Sequence, residues 1–252
     1  MSGHSKWASI KHKKGAADAR KGALYTKLIK EITMSARNGG GNPDMNPALR
    51  TAMNKAREAN MPSDNVKNAI KRGTGELPGV VYETVTYEAY GPAGVAIMIE
   101  ALTDNKNRTT AELRNILSKK SGNMAGAGSV AWIFQKKGYI VVDKAAVKED
   151  VLMDASLEAG AEDIKSQEKS FEVLTIPQDF EKVKSHLQEK GIAYQSAEVT
   201  MLPTSVIKVS GASEAKQILS LVEALEDHDD VQEVYANFDI PDELIEQVAA
   251  AG

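Results

Sequence analysis

Tyr139-Ile-Val-Val142 and the residues that follow it, as far as position 203, decide the fold. The four residues read as a buried strand, and apolar residues then recur at helical spacing over 148–158. Two β-rich runs follow at 161–167 and 170–176, then a helix at 179–189 and a strand at 194–202. The order βαββαβ is ferredoxin-like.

Outward from this segment, strands are expected at 80–90, 94–102 and 129–134, and Thr109-Thr-Ala-Glu112 is a capping-box pattern opening a helix to about residue 120. After Pro203 come a strand at 205–209, a helix at 213–225 and a strand at 231–237. These late elements lack partners unless they rejoin the earlier ones. Joining 94–135 with 204–238 makes a second βαββαβ unit, with 80–90 as an extra strand and 138–203 inserted in the central hairpin. Two sequential domains are the rival arrangement.

Ahead of the strands the pattern is helical. From Arg20 onward, Leu24, Tyr25, Leu28, Ile29 and Ile32 share one face, while Arg20, Lys27, Lys30 and Arg37 share the opposite one. Lys21 falls on the apolar side, which places the start of the core contact nearer Leu24. Asn38-Gly-Gly-Gly-Asn-Pro43 ends this helix, Pro47 fits the first turn of a second one running to about residue 60, and Pro62-Ser-Asp64 opens a third. In the third, Val66, Ala69 and Ile70 pack inward while Lys67, Lys71 and Arg72 project, and Gly73-Thr-Gly75 stops it.

The expected class is therefore α+β: an N-terminal three-helix basic domain plus two ferredoxin-like (βαββαβ) α/β domains, one inserted in the other. The expected domains are 1–75, 76–137 with 204–240, the inserted 138–203, and a C-terminal tail, 241–252.

Charge divides along the same boundary. The first 75 residues hold 15 Lys+Arg against 5 Asp+Glu, or +10, whereas the remaining 177 hold 16 against 30, or −14. The formal net charge of −4 conceals this split. Such an excess repels itself unless a partner neutralises it, and a nucleic acid is the most economical partner. The candidate nucleic-acid-binding residues are Lys6, Trp7, Lys11, His12, Lys13 and Lys14 in the arm and Arg20, Lys27, Lys30, Arg37, Lys67, Lys71 and Arg72 on the helices. Trp7 among lysines suits stacking on an unpaired base, although an anchor folding the arm onto the helices explains it equally well. Lysine dominates the arm, which favours phosphate tracking over bidentate reading of guanine.

A second candidate is Thr103-Asp-Asn-Lys-Asn-Arg108, which leaves a strand and enters a helix. The positive end of the helix there, with Lys106 and Arg108, makes a possible anion or cleft site. Gly122-Asn-Met-Ala-Gly-Ala-Gly128 matches no phosphate-loop spacing and reads better as a flexible connector. Glu226-Asp-His-Asp-Asp230 has metal-ligand chemistry without a defined geometry, and a polar turn is the simpler reading. His186 has no nucleophile or ligand partner at a meaningful spacing. No catalytic residue, metal or cofactor is expected, and the chain is read as no enzyme.

The chain has no cysteine, so disulfides and thiolate sites are excluded. No apolar run approaches the roughly 20 residues needed to cross a bilayer, and the polar, basic start is expected to be neither a secretory nor a mitochondrial leader. A cytoplasmic address without membrane contact is expected. Nothing in the pattern fixes the oligomeric state.

Gly3-His-Ser-Lys-Trp7, Ile10-Lys-His12, Asn60-Met-Pro62, Ala69-Ile-Lys71, Gly73-Thr-Gly75, Tyr87-Glu88, Tyr90-Gly-Pro92, Glu100-Ala-Leu-Thr-Asp-Asn105, Asn107-Arg-Thr109 and Gly128-Ser-Val130 together resemble the YebC family. The likeness runs in order across residues 2–135 and is looser from 138 onward. It implies a three-domain, cleft-forming α+β structure and a role in gene expression. Members are commonly described as probable DNA-binding transcriptional regulators of the bacterial cytoplasm. The mitochondrial branch activates translation of a cytochrome oxidase subunit, and bacterial relatives are linked to ribosomes stalled on proline runs. Ala89 and Ala93 stand where glycine is usual in the family, and Met124-Ala-Gly-Ala127 replaces a more polar run.

The expected function is thus a non-enzymatic nucleic-acid-binding regulator, leaning to a ribosome- or rRNA-associated translation factor that relieves stalling. A DNA-binding transcriptional regulator acting at promoters is the first alternative. A protein-interaction scaffold docking through its basic domain is the second.

Overall fold

The computed structural model describes residues 17–250. The chain is an α+β protein with an N-terminal three-helix region followed by two sheet-bearing parts. Helix α1 (Ala17–Gly39) buries Leu28, Ile32 and Ala36 against α2 (Pro47–Glu58) and α3 (Ser63–Thr74), which contribute Leu49, Ala52, Ala56 and Ala69. The packed stripe starts later than the periodicity predicts, since Leu24 is 44% exposed. Asn46 joins two helices through one buried side chain: its Oδ1 caps α2 by accepting from Leu49 N at 3.1 Å, while its Nδ2 donates to Ser35 O and Gly40 O, both at 2.8 Å. Gly75, at φ +85°, closes α3.

Strand β1 (Glu83–Tyr90) turns through Gly91 and a 3₁₀ turn, Pro92–Gly94, into β2 (Ala96–Thr103), with which it pairs over eight antiparallel positions. Ala93 sits in that turn at φ +57°, a left-handed conformation that glycine adopts without strain and alanine does not. Helix α4 (Lys106–Lys119) starts three residues before the predicted Thr109, because Asn105 Oδ1 accepts Arg108 N at 3.1 Å and caps the helix there. A two-residue strand, β3 (Asn123–Met124), pairs with β1.

Strand β4 (Phe134–Asp143) follows a 3₁₀ turn, Ala131–Ile133. It absorbs part of the run predicted as a strand at 129–134 and continues through the expected boundary at 137/138. Gly138, which punctuates the sequence, lies inside the strand because a Cβ there would stand 2.2 Å from Thr175 Oγ1 and 2.8 Å from the Phe180 ring. Helix α5 (Glu149–Ala159), β5 (Asp163–Ser166), β6 (Ser170–Thr175), α6 (Phe180–Glu189) and β7 (Ser196–Pro203) complete the ferredoxin-like set, with strand order β5-β6-β4-β7. Its core is Ile140, Val142, Phe171 and Val173 under Leu152, Phe180, Val183 and Leu187.

After β7 come β8 (Ile207–Lys208), α7 (Ala212–Glu226), β9 (Val231–Ala236), β10 (Phe238–Asp239) and α8 (Asp242–Ala250). The run at 205–209, expected as a full strand of the second sheet, is extended only at Ile207 and Lys208, and these pair in parallel with β10 instead. The second sheet has the order β3-β1-β2-β9, so β1, expected as an addition, is a central strand. The turn between β1 and β2 is short, so their pairing closes only a small loop, and the two-residue β3 adds to the other edge of β1. Residues 132–208 with 237–239 form one compact unit, and residues 17–131, 209–236 and 240–250 form the other.

Candidate nucleic-acid interface and the Asp230 cluster

The predicted cations separate into three groups. Lys6, Trp7, Lys11, His12, Lys13 and Lys14 lie outside the described residues, as does the side chain of Arg20. Arg37 at the end of α1 and Lys67, Lys71 and Arg72 on α3 are exposed. Gly73 gathers them: a Cβ there would stand 2.4 Å from Thr33 O and 2.7 Å from the Ala36 Cβ, so the last turns of α1 and α3 meet backbone to backbone. Thr33 Oγ1 donates to Ala69 O across the same seam at 3.3 Å. The exposed ends carrying Arg37 and Arg72 are thereby brought together. Lys67 is 3.5 Å from Asp64, a pair too exposed to hold it firmly.

The third group is withdrawn from the predicted cationic face. Lys27 donates to Glu226 O, and Lys30 is only 7% exposed. Lys30 Nζ reaches Asp230 Oδ1 at 2.5 Å and Asp229 O at 2.9 Å, beneath the Tyr82 ring at 5.7 Å. Periodicity identified this face of α1 correctly as polar, but the turn between α7 and β9 covers it. Lys30 is a structural ammonium, which corrects its assignment to the nucleic-acid surface.

Asp230 is the centre of this turn. Its Oδ2 accepts from Thr109 Oγ1 at 2.6 Å, Arg108 Nη2 at 2.8 Å and Thr103 Oγ1 at 3.3 Å. Burial alone raises the carboxyl pKa. Hydrogen bonds from Lys30, Thr109 and Arg108, with the charge of Lys30, outweigh it and hold Asp230 well below the usual carboxylate range. The predicted anion site at the start of α4 is therefore occupied from within. Arg108 is bound to Asp230 and, at 2.8 Å, to Asp104, while Lys106 remains exposed. Beside these groups opens a cleft of about 690 Å³, reached also by Tyr82, Glu112 and His228.

Glu112, His228 and Asp230 bring potential ligand atoms within 4.8 Å of one another. Their bonding leaves little for a metal. His228 Nδ1 accepts from Asp230 N at 3.1 Å, so Nε2 carries the ring proton and donates to Glu112 Oε2 at 2.9 Å. Neither ring nitrogen then has a lone pair to offer, and Asp230 already faces an ammonium and a guanidinium.

The glycine-rich segment differs most from its reading as a flexible connector. Glu88, 8% exposed, accepts Gly128 N and Val130 N at 2.6 Å each and Ala131 N at 2.9 Å, and the loop closes around its carboxylate. Burial works to raise the Glu88 pKa, but the backbone donors prevail and lower it. Tyr90 adds a bond from its hydroxyl to Ser129 O at 3.2 Å. Alternation along β1 puts Glu88 on the face opposite Val85, Tyr87 and Ala89, so its burial was not legible in the sequence, and nothing local names its partners. Sequence reasoning also passed over Trp132, whose side chain is 71% exposed.

Residues 5–76 match the pattern described as the TACO1/YebC protein N-terminal domain, and residues 82–238 match the TACO1/YebC second and third domain. The chain belongs to the TACO1/YebC family. Two relatives called probable transcriptional regulatory proteins span it almost entirely. The one from Dictyoglomus turgidum is 57% identical, covering 99% of this chain and 100% of its own. The one from Desulfotalea psychrophila is 53% identical with the same coverage. Among solved structures, a conserved hypothetical protein from Aquifex aeolicus is similar with a TM-score of 0.79 at 45% identity, covering 94% of this chain and 98% of that one. Among the described residues of this TACO1/YebC protein, no helix is long and apolar enough to cross a membrane.

Proposed function

We propose that this protein is a non-enzymatic regulator of gene expression that binds nucleic acid through its helical region and acts on ribosomal RNA during translation. The observation that carries the reading is the exposed group Arg37, Lys67, Lys71 and Arg72, collected at the α1–α3 seam of a segment whose charge is +10 to residue 75. A cluster of exposed lysines and arginines fits phosphate tracking along folded RNA. The relatives' names are the reason to place its action in gene expression.

A second reading, a transcriptional regulator bound to DNA, has its own support. Asn68 is exposed on α3 between Lys67 and Lys71, and an asparagine so placed has the donor and acceptor pair that reads adenine in a major groove. The relatives' printed names point the same way.

Co-sedimentation with ribosomes across a salt series, beside filter binding to mixed-sequence duplex DNA, separates the two. Stoichiometric ribosome binding that survives salt able to strip the DNA is the expected result. Ribosome binding that falls away in step with DNA, together with tight preference for particular promoter fragments, would move the protein to transcription. Equal retention of nucleic acid and an unrelated polyanion such as heparin would leave only a docking scaffold.

A further inference from the structure

Helix α5 has two seams where an ordinary surface helix has one. Leu152, Ala155, Ser156 and Ala159, spaced i, i+3, i+4 and i+7, are all buried and form its inner face. Asp150, Met153, Asp154 and Leu157 repeat that spacing two residues earlier, a rotation of about 200°, and all four are exposed. Met153 is 39% and Leu157 53% exposed, and Val151, on the flank of this outer row, is 52% exposed. Three large apolar side chains thus stand in water on one helix, whereas no other helix among the described residues exposes more than one. Packing on the sheet uses only the inner face, so folding gives no reason for the outer row, and an exposed apolar patch of this kind marks a contact.

The charge of the helix states what fits there. From Glu149 to Ala159 it carries four carboxylates and no lysine or arginine. Glu158 lies towards α6 and its end, where His186 at 3.5 Å and Lys190 at 3.6 Å meet it. Glu149, Asp150 and Asp154 have no ion pair among the described residues. The nearest preceding lysines, Lys144 and Lys148, border a separate hollow of about 520 Å³ with Glu149 and Phe171 ahead of the helix, which leaves the row from Asp150 to Leu157 acidic and apolar. A second copy of this helix, a phosphate backbone or an anionic membrane surface would each bring like charge against that row. A cationic, partly apolar partner meets both of its features.

We propose that the outer face of α5 is a docking surface for a partner protein, and that the partner supplies a lysine- or arginine-rich amphipathic helix. The apolar stripe of that helix packs on Met153, Leu157 and Val151, and its cations flank the stripe to meet Asp150 and Asp154. With 11 residues α5 is about 16 Å long, enough for some three turns of a partner and a contact small enough to be reversible. The proposal does not depend on the nucleic-acid reading: the basic helical region takes a polyanion, and α5 takes a polycation.

The test uses the full chain and labelled synthetic peptides of about 14 residues, one an amphipathic helix of leucines and lysines, the other the same residues reordered so that the leucines are spread round the helix. Fluorescence anisotropy should show the reordered peptide binding more weakly by about tenfold or more. Met153→Gln with Leu157→Gln should weaken the ordered peptide by roughly ten- to a hundredfold. Asp150→Asn with Asp154→Asn should also weaken it and flatten its salt dependence. Asp150→Lys with Asp154→Lys should lose the lysine peptide and take up its glutamate counterpart. Because these side chains are exposed, the thermal midpoint and binding to duplex DNA should not change. Equal binding of the two peptide orders, or binding indifferent to both pairs of substitutions, would overturn the proposal and leave the proposed function standing. Binding that appears only after Lys11, Lys13 and Lys14 are replaced by Gln would make the chain's own arm the occupant. Self-association of the full chain that is lost with Met153 and Leu157 would make the face a contact between copies. Either result excludes the separate basic partner.

Discussion

Asp230 sets the terms at the residue scale. It is 3% exposed and receives an ammonium, a guanidinium and two hydroxyls, so removing it deprives the largely buried Lys30 of its carboxylate partner. Asp230→Ala should cost about 3–5 kcal/mol in urea unfolding. Lys30→Met should cost less, since Asp230 keeps its other donors. Glu88 gives a separate, pH-dependent prediction. Its folded pKa lies below its unfolded one, so its contribution is present in full above the unfolded value, about 4.3, and disappears as pH falls through the folded value. Asp230 acts in the same direction. Stability should therefore be level from neutral pH down to about 5 and drop on further acidification. Glu88→Gln presents an amide to backbone donors. The variant should be less stable at neutral pH yet lose less between about pH 5 and pH 3, as denaturation at a series of pH values would reveal. A parallel loss in variant and parent would remove Glu88 from the account.

At the scale of elements, the α1–α3 seam links packing to the cationic surface. Gly73 has no room for a methyl group, because its neighbours on α1 are backbone atoms and the Ala36 Cβ, none of which can rotate aside. Gly73→Ala should destabilise the protein by about 1–3 kcal/mol. It should also lower nucleic-acid affinity in the fraction that remains folded, since Arg37 and Arg72 would be pushed apart. An affinity unchanged alongside reduced stability would mean that those two arginines do not act together. The β1–β2 hairpin follows the same logic of local geometry. Its tight turn pairs eight residues at small entropic cost and sets β1 inside the sheet, between β2 and the short β3.

At the scale of the whole molecule, the balance between +10 up to residue 75 and −14 beyond it is visible without coordinates. Replacing Arg37, Lys67, Lys71 and Arg72 together by Gln should reduce the salt slope on duplex DNA by as much as about 0.9 for each phosphate no longer neutralised. Replacing Lys27 and Lys30 should change thermal stability far more than slope, because both ammonium groups are bonded within the protein. A slope that responded to Lys30 and ignored Lys71 would reverse the division between the two groups. Sequence by itself determined the charge segregation, the three helices with their glycine and proline boundaries, and the βαββαβ order between residues 138 and 203. Each of these depends on neighbours within a turn or two, or on a sum over residues. Tertiary structure alone decided which polar faces stay in water. Lys30 and Arg37 share a face of α1, yet one is buried against Asp230, 200 residues away, and the other is exposed. The Glu88 loop and the open indole of Trp132 have the same origin: burial and ion pairing depend on what packs against a surface, and helical or strand periodicity carries no information about that partner.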